Sequence, residues 1–137
     1  MGETDFLLVR RYDRIVGDAG SIARLHQEDF CQALSVPPEL KYEDEGGPGI
    51  AQSQALLDAH ARRPAADRLA FQRMVIFNYL VGNADAHAKN FALLYTHRAP
   101  DLAPIYDVVC TAAWLRPRSA GLASPAEMIC YIVSTLQ

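Results

Sequence analysis

The segment at residues 65–80 is the feature that most restricts the fold of this chain. It is long and largely apolar, it contains neither glycine nor proline, and Pro64 stands where the first turn of a helix accepts proline. A helix that is apolar around most of its circumference is usually central and buried. Gly82 ends the pattern. The sequence therefore predicts a buried core helix that is followed by a loop.

That loop, residues 83–90, reads NADAHAKN. Asp85 and Asn90 have an Asp-x-x-x-x-Asn spacing, and Asp107 adds a second carboxylate downstream. Kinase-like phosphoryl transfer needs such a set: one carboxylate accepts the proton of the attacking hydroxyl, while an amide oxygen and another carboxylate hold Mg²⁺. We therefore predict Asp85 as the general base, and Asn90 and Asp107 as metal ligands.

Two further side chains of the loop join the predicted catalytic group. Lys89 could meet the transferring phosphate as a point charge. His87 is expected to brace the loop by hydrogen bonds rather than to act as a base. A purely structural interpretation stays open, because Asp85 and Asn90 could cap neighbouring backbone in a solvated loop, and Asp107 could cap a following helix.

The remaining pattern predicts short elements in one domain that is mostly α with a small β-ribbon. A strand is expected at 6–9, followed by an exposed turn at 10–14 and a loop at 17–20. Helices are expected at 26–34 and 53–61, with a loop at 41–50 between them. The ribbon would pair 91–95 with 102–105, and another helix could begin at Asp107.

The composition fits an ordinary globular domain. Among 137 residues 50% are hydrophobic and 21% are charged, and the net charge of −3 argues against a membrane-surface role or direct nucleic-acid binding. No apolar run is long enough to span a bilayer, and acids near Met1 argue against a signal peptide. Three widely spaced cysteines predict buried free thiols and a cytoplasmic location: Cys31, Cys110 and Cys130.

Together, these motifs resemble a known family. The loop at 83–90 and the stretch LAPIYDVV at 102–109 look like the C-terminal lobe of the HipA family, bacterial serine/threonine kinase toxins of type II toxin–antitoxin systems. The segments VRRYDR at 9–14 and RLHQEDFCQAL at 24–34 match as well, as does Tyr42-Glu43 with GGPG at 46–49. The resemblance covers roughly residues 5–114.

The resemblance implies a protein-kinase-like C-terminal lobe that uses ATP and Mg²⁺. Asp85 would be the catalytic aspartate, and Asn90 and Asp107 would bind the metal. Adenine would be bound by the backbone of a hinge formed by Arg10, Arg11 and Tyr12. The segments at 26–34 and 42–49 look architectural, with no catalytic role.

The resemblance also implies partners and an organisation of the chain. The substrate would be a hydroxyl on a protein of the translation machinery, such as an aminoacyl-tRNA synthetase, and a helix-turn-helix antitoxin would bind the kinase. We expect a C-lobe at 1–114 with the hinge segment at 6–14, and a divergent tail at 115–137. Because the family's nucleotide-binding lobe precedes the hinge, the chain is expected to be inactive without a separate N-lobe. A non-catalytic module that docks an N-lobe or an antitoxin, and a degenerate gene product, are the alternatives.

Overall fold

Residues 8–111 are described by the structure, a computed structural model. Its strands are Arg14–Val16 (β1), Ile22–Arg24 (β2), His26–Asp29 (β3), Ala92–Tyr95 (β4) and Asp101–Leu102 (β5). Its α-helices are Phe30–Ala33 (α1), Ile50–His60 (α2) and Pro64–Leu80 (α3). The expected ribbon is confirmed as the antiparallel pair β4–β5, and β3 adds a third strand to it. A second antiparallel sheet, β1–β2, was not expected. "Mostly α" is therefore only a loose description of the part that the structure describes.

Three phenylalanines from separate segments form the centre of the core. The ring centroids lie 5.7 Å apart for Phe30 and Phe71, 5.9 Å for Phe30 and Phe91, and 4.9 Å for Phe71 and Phe91. Leu57 from α2 and Leu93 from β4 are buried in the same cluster. Aromatic contacts of this kind add to the stabilisation that apolar burial provides. The core thus joins α1, α2 and α3 to the three-stranded sheet.

The predicted helix at 26–34 is wrong in its first half. Residues 26–29 form β3, which pairs along its length with β4, from His26 opposite Tyr95 to Asp29 opposite Ala92. Helix α1 begins only after Asp29, whose side chain accepts from the Gln32 N–H at 2.9 Å as an N-cap. The acids that suggested a first helical turn belong instead to a strand, because cross-strand pairing overrides local helix preference.

The two long helices are confirmed, and each begins slightly earlier than predicted. Pro64 occupies the first turn of α3, as its missing N–H allows. The predicted burial of α3 is wrong, however: Phe71 is buried, whereas the side chains of Ile76 and Leu80 are 51% and 72% exposed. Within the described residues α3 packs mainly on α2 and β5, so only one face of the helix is covered.

The N-terminal part of the described chain forms a hairpin that the sequence did not predict. Leu8 and Val9, which were expected in a strand, are exposed and irregular, while Phe6 and Leu7 lie outside the described residues. Instead β1 and β2 pair across a turn at Asp18–Gly20. We call β1, this turn and β2 the hairpin.

The end of the described chain also differs from expectation. Residues 107–110 are not helical, so the helix predicted to begin at Asp107 is absent over these residues. Cys31 is a buried free thiol, as predicted, whereas Cys110 is exposed. Cys130 and the tail predicted at 115–137 lie outside the described residues. Among the helices of residues 8–111, none is long and apolar enough to cross a membrane.

Candidate functional site

The loop at residues 83–90, here called the site loop, leaves α3 through a left-handed glycine. The N–H groups of Val81 and Gly82 donate to Phe77 O and Tyr79 O, which closes the helix. Gly82 has φ +69°, a conformation that glycine adopts without steric cost. The loop ends in a 3-10 turn at Ala88–Asn90, and one residue, Phe91, separates this turn from β4. The predicted end of the helix and the predicted loop are both confirmed.

The two residues predicted to bind a metal lie in direct contact. Asn90 Nδ2 donates to Asp107 Oδ2 at 2.8 Å, and Asn90 Oδ1 accepts from the His87 backbone N–H at 2.9 Å. Asn90 is buried, whereas Asp107 is exposed and has φ +56°. The antiparallel pairing of β4 with β5 returns the chain to the site loop and so makes this contact. Their role as metal ligands stays a prediction.

The predicted general base, Asp85, is exposed and carries an unforeseen partner. The Tyr42 hydroxyl donates to Asp85 Oδ1 at 2.5 Å. This hydrogen bond, followed by burial, raises the pKa of the Tyr42 phenol above its ordinary value. The phenol therefore remains a proton donor at neutral pH.

Close backbone packing holds the segment that carries Tyr42. A Cβ atom on Gly47 would lie 2.3 Å from Leu40 O and 2.6 Å from Tyr42 O, so only glycine fits. The same segment reaches the site loop, since Ala88 N–H donates to Lys41 O at 3.2 Å. The GGPG segment thus packs against the backbone of Tyr42 and helps to hold this residue beside Asp85.

A buried amide joins the two sides of the site. Asn83 Nδ2 donates to Asn78 Oδ1 at 2.7 Å and to Asp107 O at 3.4 Å, and Asn83 Oδ1 accepts from the Asp85 N–H at 3.2 Å. Asn78 is itself tied to Met74 O by its amide, at 3.0 Å. Asn78 and Asn83 are both 5% exposed. The rigid α3 is therefore connected through two side chains to the backbone of both acidic residues.

Thr111 adds a second connection between the same segments. Its hydroxyl accepts from the Ala84 N–H at 2.8 Å and donates to Gly82 O, also at 2.8 Å. The stretch from Asp107 to Thr111 is thereby held along the start of the site loop. Hydrogen bonds to backbone groups fix the position of a loop that has no regular structure.

His87 braces the loop, as expected. Its Nε2 lies 2.9 Å from Lys41 Nζ, and its ring meets the Tyr42 ring edge-on, with the centroids 5.1 Å apart. Burial, and then the charge of Lys41, lower the pKa of His87. The ring is thus neutral at pH 7, and its Nε2 accepts from the ammonium group. Its buried Nδ1 has no hydrogen-bond partner among the described residues.

The Lys89 side chain forms an ion pair with a residue outside the site loop. Its Nζ lies 2.8 Å from Asp29 Oδ2, and this hydrogen bond raises the pKa of Lys89. Its backbone is held as well, since the Tyr106 hydroxyl donates to Lys89 O at 2.6 Å. A contact with a phosphate would require the ammonium group to leave Asp29 or to share it.

The predicted hinge residues lie in an irregular stretch in which Tyr12 is half-buried. Arg10 is exposed, and Arg11 binds the Asp13 carboxylate with two hydrogen bonds of 2.8 and 2.7 Å. The Tyr12 hydroxyl donates to Gln27 Oε1 at 2.9 Å, and its ring lies 6.1 Å from that of Tyr106. The hinge segment thus approaches the site through Tyr12, because Tyr106 directly precedes Asp107.

The donor set fits a magnesium ion of the kind that binds a nucleotide. Asn90 and Asp107 offer one amide oxygen and one carboxylate, and Mg²⁺ typically takes one or two carboxylates plus phosphates and water. Asn90 Oδ1 already accepts from His87 N–H, but a carbonyl oxygen has a second lone pair. Within residues 8–111 no cluster of three or more His, Cys, Asp or Glu side chains offers a different metal site.

Four contributors to the site were missed or misjudged from the sequence. Tyr42 was placed in the architectural segment at 42–49, Lys41 in the loop predicted at 41–50, and Asp29 in a helix. They are remote in sequence from the residues they bind, and no spacing signals their contacts. Asn83 does stand inside the polar run, so its position was a usable signal.

Comparisons with known proteins identify the family of this chain. The model of the family described as HipA-like C-terminal domain matches residues 1–130. A Sinorhizobium fredii protein named "Putative kinase Y4mE" is 51% identical over 117 residues, which are 84% of this chain and 28% of that protein. The serine/threonine-protein kinase toxin HipA of Shewanella oneidensis is 35% identical over 120 residues, which are 79% of this chain and 28% of the toxin.

A solved structure agrees with the sequence relatives. The complex of Shewanella oneidensis HipA, HipB and operator DNA contains a chain that superposes with a TM-score of 0.64 and 32% sequence identity. The match covers 72% of this chain and 26% of that chain. This chain thus spans about a quarter of the length of the proteins it matches. It belongs to the HipA-like C-terminal domain family.

Proposed function

We propose that this chain is the kinase-like C-terminal lobe of a HipA-like serine/threonine kinase, and that it supplies the base and the Mg²⁺ ligands for phosphoryl transfer from ATP to a protein hydroxyl. The observation that carries the proposal is the contact between Asn90 and Asp107 at 2.8 Å, with the backbone of Asp85 joined to that of Asp107 through Asn83. The name of the related HipA toxin supports the reaction type.

Asp85 acts as the base in this proposal. Its carboxylate is exposed, so a substrate hydroxyl can approach it. A carboxylate in hydrogen-bonding reach of the attacking hydroxyl orients it and accepts its proton as the new bond to phosphorus forms. The buried contacts of Asn83 keep the Asp85 backbone at a fixed distance from Asp107. Positioning is the main contribution a protein makes to this reaction.

Asn90 and Asp107 hold Mg²⁺ in this proposal. When bound, the ion neutralises phosphate charge and orients the transferring group. Asn90 would offer the remaining lone pair of its Oδ1, which also accepts from the His87 N–H, and Asp107 would offer a carboxylate oxygen. His87 serves by bracing the loop, because its neutral ring is bound to Lys41.

The nucleotide is bound by the chain's N-terminal segment and by Lys89. The backbone of Arg10, Arg11 and Tyr12 contacts adenine, supported by the proximity of Tyr12 to Tyr106. Lys89 shares its ammonium group between Asp29 and a phosphate oxygen. An ammonium group has three donors, so the ion pair of 2.8 Å leaves others free.

The surroundings of the reaction follow from the family. We propose a cytoplasmic protein that acts with an N-lobe and phosphorylates a component of the translation machinery. The related HipA was solved together with HipB and operator DNA. A HipB-like, helix-turn-helix antitoxin is accordingly the proposed partner of this chain.

Calorimetric titration of the full chain with ATP, with and without Mg²⁺, tests the nucleotide site. Asp107→Asn should weaken Mg²⁺-dependent ATP binding by roughly 10-fold or more, since it removes a charged ligand. Asp85→Asn should leave that binding unchanged and, when a separately expressed N-lobe is present, abolish transfer of radiolabelled phosphate to protein. Asp101→Asn is the matched control, because Asp101 binds Arg62 and Arg63 instead. An affinity for ATP that changes neither on addition of Mg²⁺ nor in Asp107→Asn would contradict the proposal.

A second candidate, a non-catalytic binding module, is favoured by the apolar residues that the hairpin exposes. Val16 and Ile22 are 73% and 68% exposed on neighbouring strands. Exposed apolar surface of this kind often marks an interaction site. A pull-down with a HipB-like antitoxin or a separately expressed N-lobe, combined with a phosphoryl-transfer assay, separates the two functions. A non-catalytic module would bind its partner equally well as wild type and as Asp85→Asn. Neither the wild type nor the variant would transfer phosphate.

A further inference from the structure

The Asp85 carboxylate uses its two oxygens differently. Oδ1 accepts the Tyr42 hydroxyl at 2.5 Å. Oδ2 makes no hydrogen bond with any residue in the described part of the chain, and the residue is exposed. A carboxylate with one fixed oxygen cannot rotate freely, so the second oxygen has a fixed direction as well.

The phenol that binds Asp85 is itself held in place. Lys41 Nζ lies 4.8 Å from the centroid of the Tyr42 ring, and the His87 ring meets it edge-on. Such contacts orient an aromatic ring. The chain beyond Tyr42 cannot move away easily, because Gly47 packs directly on Leu40 O and Tyr42 O. Tyr42 is therefore placed before any substrate arrives.

We propose that Tyr42 is a positioning residue for Asp85: its hydroxyl occupies Oδ1 and leaves Oδ2 as the oxygen that accepts the proton of the substrate hydroxyl. The inference rests on the proposed function. It adds a residue to the site that lies 43 positions before Asp85 in the sequence. Tyr42 keeps its own proton during the reaction, and the proton of the attacking hydroxyl passes to Asp85 Oδ2.

A second tyrosine in the chain offers a matched control. The Tyr95 hydroxyl donates to Glu28 Oε2, also at 2.5 Å, but this pair lies across β3 and β4. Tyr42→Phe and Tyr95→Phe each delete one phenol–carboxylate hydrogen bond and leave the ring in place. A difference between the two variants therefore reports on the site and not on the loss of a hydrogen bond in general.

The hydrogen bond can be tested without any activity. In the full chain labelled with ¹³C at tyrosine Cζ, the Tyr42 resonance should titrate at higher pH than that of free tyrosine. Asp85→Asn should move this titration to lower pH and leave the Tyr95 titration unchanged, since Tyr95 depends on Glu28. An unchanged Tyr42 titration in Asp85→Asn would overturn the inference, whatever the chain catalyses.

Kinetics test the positioning. When a separately expressed N-lobe is present, Tyr42→Phe should lower kcat of Mg²⁺–ATP-dependent phosphoryl transfer by roughly 10- to 100-fold, as misplacement of a catalytic group does, with KM for ATP unchanged. Tyr95→Phe should change neither. Equal losses in both variants, or no loss in Tyr42→Phe, would overturn the inference. If the wild-type chain together with the N-lobe transfers no phosphate, the proposed function fails, and the titration still decides whether Tyr42 holds Asp85.

Discussion

The site loop and the hairpin are both short segments, but different interactions hold them in place. The site loop has almost no regular structure, yet Asn83 and Asn90 are buried and their amide groups are hydrogen-bonded. The hairpin has regular strand pairing, yet its residues are nearly all exposed. Regular secondary structure and a fixed position in the fold are thus separate properties in this chain, and the second is what a reactive site needs.

The attachments of the two regions explain the contrast. The site loop is joined to α3, to the segment of Tyr42 and to Asp107 by side-chain hydrogen bonds. The hairpin is fastened at its base by Asp13, whose O accepts from Leu25 N–H and whose carboxylate binds neighbouring arginines. Substitutions under the site loop should therefore affect the whole fold, and those on the hairpin should have local effects.

Removal of a core ring near the site loop should have the largest effect. Phe71→Ala deletes contacts with both Phe30 and Phe91, and a buried Phe→Ala change costs about 3–5 kcal/mol. Urea denaturation followed by circular dichroism measures the change in the free energy of unfolding. A loss below about 1 kcal/mol would show that the core beneath the site loop does not hold that loop in place.

Loss of the buried amide should come next. Asn83→Ala leaves Asn78 Oδ1 and the Asp85 N–H without their partner, and it also removes the contact with Asp107 O. An unsatisfied buried polar group costs about 1–3 kcal/mol. The same denaturation experiment measures this loss. Gln27→Ala, which removes the half-buried acceptor of the Tyr12 hydroxyl, is the control and should cost less than Asn83→Ala.

The sequence predicted the polar centre of the site better than its support. The spacing of Asp85, Asn90 and Asp107 suggested one site, and the structure does place Asn90 against Asp107. The spacing could not reveal Tyr42, because that contact depends on how the segment before α2 folds back over the site loop. Tertiary contacts between distant segments leave no periodic signal in a single sequence.

The same limit explains the errors in the fold. Residues 26–29 carry acids that favour the start of a helix, but their pairing with β4 makes them a strand. The hairpin was missed because its strands are short and polar at their ends, Arg14 and Arg24. The long helices were predicted correctly, since their pattern extends over several turns and needs no partner to be recognised.

A fall in pH should weaken the ion pairs of Asp13, which hold the hairpin to the rest of the chain. Hydrogen bonds and charge from Arg11, together with Arg14, lower the pKa of Asp13 to about 2. In the unfolded chain an aspartate has a pKa of about 3.9. The stabilisation by Asp13 is therefore present above this pH and is lost as the pH falls toward 2. The stability of wild type relative to Asp13→Asn, measured by urea denaturation between pH 6 and 2, should decline across this window. A difference that is independent of pH would contradict this assignment.

The exposed strands should give the smallest effect. Ile22→Ser changes a side chain that is 68% exposed, and exposed substitutions usually alter stability by less than about 0.5 kcal/mol. Urea denaturation of Ile22→Ser and Phe71→Ala under the same conditions compares the free energy of unfolding lost in the hairpin with that lost in the core. A loss of several kcal/mol in Ile22→Ser would mean that the hairpin is part of the cooperative core. A near-zero loss would show that the exposed apolar residues of the hairpin contribute little to the stability of the fold.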